Sequence, residues 1–426
     1  MRKLMTFGVA LFMLVTLVAC GKGTSSADGK VELRISWWGG DSRNEAVQAA
    51  IKEFEKENPE IKVKAEFGGY GGYQEKMTTQ LSGGTAPDVI RLDSMWMNQY
   101  QNNLLDLNDV AKEIGLDNFD KKTLTPVSEK GKVLGIPLST NYRGLYYNKT
   151  VLDQYGIEKP ASWEDLYAMR EKLPEDMYPL WAGFSQKGVT PVFFFALMAQ
   201  QTGKPIADEN NKLIYTEKDF QNVIAFYEDL VAKKIIPSKK VIDNAGMVDG
   251  APIPDLVNGK WVSVFEFVAN TNVLNSQLKE KGFELALAGF PTLENQKSTG
   301  VWTKPSMVYS IPTASKNQKE AAKLIDFLVN SEAANKAQKL ENGVPDSKTG
   351  KATLESEGLI TPLVSETIDL GSSLVDPTLS NVFKWDRAKL NDVSLDVITE
   401  LDYGKITGKE AAKKLYTAFK EEKFTE

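Results

Sequence analysis

Residues 31–92 read as strand, helix, strand, helix, strand, and that order narrows the fold more than any other feature of the chain. Val31, Leu33, Ile35 and Trp37 alternate with Glu32, Arg34 and Ser36, the period of a half-buried strand. Ser42-Arg43-Asn44-Glu45 has the spacing of a capping box, and Val47, Ile51 and Phe54 then recur at helical intervals until Asn58-Pro59 stops the helix. Ile61, Val63, Ala65 and Phe67 form a second alternating strand. A helix over 73–81, a Gly83-Gly84 turn and a short strand over 88–92 follow. Strands joined by helices at this pace are βαβ units, so the chain is expected to be α/β with a mostly parallel sheet.

Further along, Leu145-Tyr146-Tyr147-Asn148 is a strand candidate and Ser162-Trp163-Glu164-Asp165 opens a helix with capping-box spacing. A buried helix over 193–202 ends at Gly203, and Thr216 and Asp219 cap another whose stripe is Phe220, Ile224, Tyr227 and Val231. Val262, Val264 and Phe267 belong to one strand, and residues 285–287 to another. Later helices cover 317–329, with Ser315 and Gln318 as the cap pair, and 411–419. There is no internal repeat.

What is missing excludes whole classes of chemistry. With no histidine, a Ser/His/Asp triad, a histidine base and the common zinc sites are impossible. The one cysteine, Cys20, leaves no disulfide or CxxC pair. No P-loop or GxGxxG stands at a strand-to-helix junction, which argues against nucleotide chemistry and against a bound cofactor. The net charge of −6 and the lack of a basic cluster argue against nucleic acid. Paired carboxylates remain available for glycoside hydrolysis.

Cys20 follows a positive start, Arg2 and Lys3, an apolar run from Leu4 to Val18, and the small Ala19. This is the layout of a secretory signal peptide, too short for a spanning helix. Leu17-Val18-Ala19-Cys20 also resembles the lipobox of bacterial lipoproteins, which implies cleavage before Cys20, lipid on its sulfur and an anchor on the outer face of the cell membrane. Residues 20–30 then read as a tether, and loss of residues 1–19 makes the net charge two units more negative.

The order of segments over nearly all of the remaining chain resembles the extracellular solute-binding proteins of carbohydrate ABC transporters, the group that includes maltose-binding protein. The residues that carry the resemblance are Ile35-Ser36-Trp37-Trp38-Gly39; Phe54 through Asn58-Pro59 to Val63; Ser82-Gly83-Gly84-Thr85-Ala86-Pro87-Asp88-Val89; Gly135-Ile136-Pro137; Leu145 to Lys149; Pro160 to Leu166; Asn258-Gly259-Lys260; and Ser315 to Ala322 through Phe327-Leu328, with Gly343-Val344-Pro345 beyond. The resemblance implies two discontinuous α/β lobes joined by crossing strands, the type II periplasmic-binding-protein fold. Lobe 1 is placed at 31–140 plus 305–350 and lobe 2 at 141–304 plus 351–426. It implies a monomeric receptor that closes over a sugar and delivers it to the permease subunits of a transporter, without catalysis.

A pyranose offers apolar C–H faces and a belt of hydroxyls, so flat aromatics and planar polar groups are the residues to look for. Trp38 and Asp41 stand at the carboxyl end of the first strand, where open α/β sheets expose their crevice, whereas Trp37 is in phase with the core residue Ile35. Asp93 and Trp96 follow the strand over 88–92, and Tyr70 and Tyr73 flank Gly71-Gly72. Asn141, Tyr142 and Arg143 fall at the first crossing between lobes. Arg143 either clamps the carboxylate of an acidic sugar or stacks on a neutral ring and braces the hinge. On the second lobe the candidates are Trp181, Phe184, Gln186, Glu266, Asn270 and Trp302. By resemblance Trp385 joins them, at the place of a stacking aromatic in maltose-binding relatives; the tryptophan pair of those relatives is replaced here by Phe265-Glu266-Phe267. Tyr146-Tyr147 could suggest iron, but an apolar strand explains the pair, and no metal site is expected. The rival readings are a surface glycosidase and a non-transporting adhesin.

Overall fold

The computed structural model describes residues 29–183, 190–208, 210–245, 254–379, 382–385 and 387–422. The signal, the lipobox and Cys20 lie outside the described residues. Two five-stranded sheets organise the chain. The first has the order β2-β1-β3-β10-β4, with β1 at Val31–Trp38, β2 at Ile61–Gly68, β3 at Val89–Leu92, β4 at Ile136–Pro137 and β10 at Val308–Ser310. In the second, β5 (Thr140–Asn148) lies between β8 (Leu285–Gly289) and β7 (Trp261–Phe267), β6 (Tyr178–Trp181) flanks β7, and β9 (Thr303–Pro305) pairs with the start of β5.

β1, β2 and β3 are parallel, as βαβ units require, with α1 (Asp41–Glu57) and α2 (Tyr73–Ser82) as the crossovers. The second sheet departs from the mostly parallel expectation. β5 runs antiparallel to β7, β8 and β9, and only β6 and β7 run side by side in one direction. For β5 and β9 the cause is the crossing itself, since β5 leaves the first lobe as β9 returns to it.

Each sheet has its own core. Ile35, Val47, Phe54, Val89 and Ile90 pack with Leu324 and Leu328 of a later helix over Gln318–Asn330 in the first lobe. In the second, Leu166, Phe193, Phe194, Phe195, Val223 and Tyr227 pack with Ile398 and Leu415 from the last two helices. The capping boxes at Ser162–Asp165 and Thr216–Asp219 form with both reciprocal bonds, each cap contributing about 1 kcal/mol. The other two cap pairs do not form. The helix at Asp41 begins one residue before Ser42, whose hydroxyl donates to Glu341 Oε2 at 2.9 Å, and the Ser315 hydroxyl donates to Asp88 Oδ1 at 2.7 Å. In both places the helix starts at a different residue from the one the spacing suggests, with Gly40 and Asn317 as the N-caps.

The lobes are joined by a two-stranded ribbon in which Thr303, Lys304 and Pro305 of β9 pair with Tyr142, Asn141 and Thr140 of β5. Its first-lobe end is fastened by the segment 342–346. The Ser139 hydroxyl donates to the Asn342 carbonyl at 2.6 Å and lies 2.5 Å from the Ser306 hydroxyl. Gly343 has φ +86°, and a Cβ there would stand 2.5 Å from Ser139 Oγ, so glycine is required on both counts. The Asp346 carboxylate accepts from Thr140 N–H at 3.0 Å and from the Thr140 hydroxyl at 2.8 Å. At the other end Tyr142 packs on the helix at Pro362–Leu374, where a Cβ on Gly371 would come 2.6 Å from the Tyr142 ring.

Enclosure pushes Asp346 up from the ordinary 3.8 to about 7, against the pull of its two Thr140 bonds. A raised value means that the folded protein keeps a proton which the unfolded chain has released. The stability it contributes is therefore complete below about pH 4 and drains away as the pH rises towards about 7. Thermal melts across this range are expected to show the wild type losing stability with rising pH more steeply than Asp346→Asn; parallel curves would refute the assignment.

Candidate ligand-binding site

The carboxyl ends of strands from both lobes converge on the ribbon. β3 ends at Leu92, and two residues later the Ser94 hydroxyl donates to the Pro305 carbonyl at 2.7 Å. β7 ends beside the start of β5, with Phe267 paired to Arg143. The ribbon is thus a floor between two walls.

The first wall is aromatic. Alternation along β1 separates its two tryptophans, as expected. Trp37 is fully buried, stacks on Phe67 at 5.0 Å and donates from Nε1 to Asn44 at 2.9 Å. Trp38 faces the other way, with Tyr73 at 5.0 Å, Trp96 at 5.2 Å and Tyr70 at 5.8 Å between ring centroids. Tyr73 is buried, and burial raises its phenol far above the ordinary value, so it stays neutral. Trp96 sits on a short turn, Ser94–Trp96, that Asp93 starts by accepting Met95 N–H at 3.0 Å. Asp41 is exposed at the start of α1.

The floor carries two cations. Lys304 Nζ lies 3.3 Å from Asp93 Oδ1, with both side chains largely buried. The Arg143 guanidinium lies 4.0 Å above the Phe267 ring and 5.6 Å from the rings of Phe265 and Trp302. The guanidinium thus makes cation–π contacts with an aromatic cluster. Asn141 and Tyr142 lie beside it on the ribbon. The Tyr142 phenol is raised by burial, with further contributions from Asp346 and Asp369.

The second wall is more polar. Glu266 accepts from the backbone N–H of Phe267 at 2.6 Å and from the exposed Asn270 at 3.2 Å. Trp302 is buried and meets Phe267 edge-on at 5.8 Å.

Two tryptophans expected here stand elsewhere. Trp181 is 2% exposed and stacks on Trp261 at 4.8 Å within a cluster with Tyr146, Val264 and Leu274. It ends an interior-facing strand, and its ring completes the packing of that face. Trp385 is also 2% exposed, wedged between Phe195 at 5.9 Å and Phe419 at 6.1 Å in the second-lobe core. Both serve the core in this conformation. Phe184 and Gln186 lie outside the described residues.

Sequence reasoning missed Lys304 and Phe267. Lys304 lies in Trp302-Thr303-Lys304-Pro305, and alternation from Trp302 could have placed it on the ribbon, but only the register with Asn141 brings it to Asp93. A groove of about 890 Å³ lies apart from the aromatic wall, lined by Phe290, Leu370, Glu366 and Asp369 of the second lobe.

Comparison with known proteins gives the following. The family described as bacterial extracellular solute-binding protein matches residues 40–335. The melibiose/raffinose/stachyose-binding protein of Bacillus subtilis is 30% identical over 181 residues, 41% of this chain and 42% of that protein, so the match spans less than half of the relative. A periplasmic solute-binding protein of Pectobacterium atrosepticum has a similar structure, with TM-score 0.80 and 29% identity over 91% of this chain and 98% of that one. A periplasmic oligogalacturonide-binding protein of Yersinia enterocolitica, solved with saturated digalacturonic acid, has TM-score 0.74 and 30% identity over 91% of this chain and 97% of that one.

Proposed function

The chain belongs to the bacterial extracellular solute-binding proteins, with their two-lobed type II fold, and on that premise we propose that it is a carbohydrate receptor of an ABC transporter. It takes a sugar or oligosaccharide between the lobes over the β5/β9 ribbon and delivers it unchanged to the permease. The observation that carries this reading is the aromatic wall of Trp38, Tyr70, Tyr73 and Trp96 standing beside the Asp93–Lys304 pair. Flat rings suit the C–H faces of a pyranose, and a neighbouring ion pair offers both acceptors and a donor to its hydroxyls. The relatives named above for melibiose, raffinose, stachyose and digalacturonic acid support the substrate class.

Between a neutral and an acidic ligand, the arrangement of the cations favours the neutral one. Lys304 is already neutralised by Asp93, and Arg143 is spread over three rings. The carboxylates around the ribbon are likewise engaged, Asp93 with Lys304, Asp346 with Thr140 and Glu266 with the backbone N–H of Phe267, which supports binding over hydrolysis. Trp38, Trp96, Asp93, Asn141, Tyr142 and Arg143 are the proposed contacts, with Tyr70 at the rim and Asp41, Glu266, Asn270 and Trp302 at the edges. We place the lobe boundaries near residues 140, 305 and 350, take the receptor to be a monomer, and take Cys20 as its lipid anchor on the extracellular face.

Calorimetric titration with melibiose, raffinose, stachyose and digalacturonate tests the reading. A neutral oligosaccharide is expected to bind most tightly and to be recovered intact, and Trp96→Ala is expected to weaken it about tenfold or more. Cleaved product would make the protein a glycosidase, and unchanged affinity in Trp96→Ala would remove the site. Labelled palmitate is expected to enter the wild type and not Cys20→Ser; equal labelling would dismiss the anchor.

A further inference from the structure

The segment Phe67-Gly68-Gly69-Tyr70-Gly71-Gly72-Tyr73 places one aromatic ring between two pairs of glycines. Glycines are usually explained by a close approach or a positive φ. Here a Cβ on Gly68, Gly69, Gly71 or Gly72 would meet nothing within 4 Å, and among the four only Gly72 has a positive φ, +77°. Packing and left-handed geometry therefore account for one glycine of the four. The other three leave the backbone around Tyr70 loose where any side chain would fit.

The ring they carry is not idle. Tyr70 stacks on Trp96 at 5.7 Å with 30° between planes and meets Trp38 at 5.8 Å. Tyr70 itself is 54% exposed, while Trp38 and Trp96 beneath are 6% and 7% exposed. The two indoles proposed as a sugar platform are thus covered in this conformation, by the buried Tyr73 on one side and by a solvent-facing ring on a glycine loop, Tyr70, on the other. The flanks are secured: Gly39 N–H donates to the Gly68 carbonyl at 3.0 Å, and Tyr73 N–H to the Tyr70 carbonyl at 3.2 Å. Tyr73 is fixed by burial at the start of α2, so the two tyrosines of the motif differ in role.

We propose that Tyr70 is a gate and a specificity determinant: its ring occupies the Trp38–Trp96 platform in this conformation, swings away on its glycine flanks, and yields that place to a sugar ring. This rests on the reading of Trp38 and Trp96 as ligand contacts. Because Tyr70 must leave before the platform can be used, the apparent affinity of every ligand is reduced by the fraction of molecules with the gate open. The opening cost is common to all ligands that use the platform, and a ring with a broad apolar face regains most of it from the uncovered indoles. The platform behind the gate therefore favours such rings over small or fully polar solutes.

The test needs no ligand. Fluorotryptophan is incorporated into wild type, Tyr70→Ala, Tyr70→Phe and a Gly69→Ala/Gly71→Ala double variant, and the fluorine resonances of Trp38 and Trp96 are assigned by replacing each with phenylalanine. Tyr70→Ala is expected to shift both resonances and to raise acrylamide quenching of the empty protein. Tyr70→Phe keeps the stacking ring and should behave as wild type, and the stiffened double variant should be quenched less than wild type. Unmoved resonances and unchanged quenching in Tyr70→Ala would overturn the cover, and a double variant quenched as strongly as wild type would overturn the glycine gate. Should the gate behave as expected while no carbohydrate binds, the carbohydrate reading fails and the gate stands.

Discussion

The pairing of β5 with β9 is the constraint on which the rest of the molecule depends. Three residues of each strand carry the chain across in opposite directions, and each strand continues directly into the sheet of a different lobe. Its first-lobe end is anchored by Ser139, Ser306, Gly343 and the Asp346–Thr140 bonds, and its other end by Tyr142 against Gly371. Because β3 and β7 both end against it, Asp93, one residue beyond β3, and Phe267, the last of β7, meet Lys304 and Arg143 without any long excursion of loop.

Aromatic residues are divided between two tasks by strand phase. In β1 one step along the strand moves a buried indole from one face of the sheet, where Trp37 bonds to Asn44, to the other, where Trp38 meets three other rings. The charges follow a similar economy. Each cation on the floor has a partner of its own, a carboxylate for Lys304 and a set of rings for Arg143, so neither is buried bare.

Much of the local structure was legible in the amino-acid order because its causes are local. The alternation of Val31 to Trp37, the stop at Asn58-Pro59 and the capping boxes of Ser162 and Thr216 each depend on residues a few positions apart. Ser42 and Ser315 looked the same on paper but are claimed by Glu341 and Asp88, hundreds of positions away in sequence. The antiparallel pairing of β5 with β9 and the approach of Lys304 to Asp93 likewise come from the crossing, which no single segment encodes. Trp181 and Trp385 show the limit for aromatics. A tryptophan at a strand end or in a turn has the same local signature whether it lines a cleft or fills a core, and here Trp261 and Phe419 decide for the core.

The central claim is that the two lobes close over a carbohydrate about this ribbon. Small-angle X-ray scattering of the purified protein, empty and saturated with the oligosaccharide that titration shows to bind most tightly, tests it most directly. The account predicts a smaller radius of gyration and a shorter maximum dimension in the saturated protein. Identical scattering at full occupancy, or compaction produced by a non-carbohydrate solute alone, would contradict it.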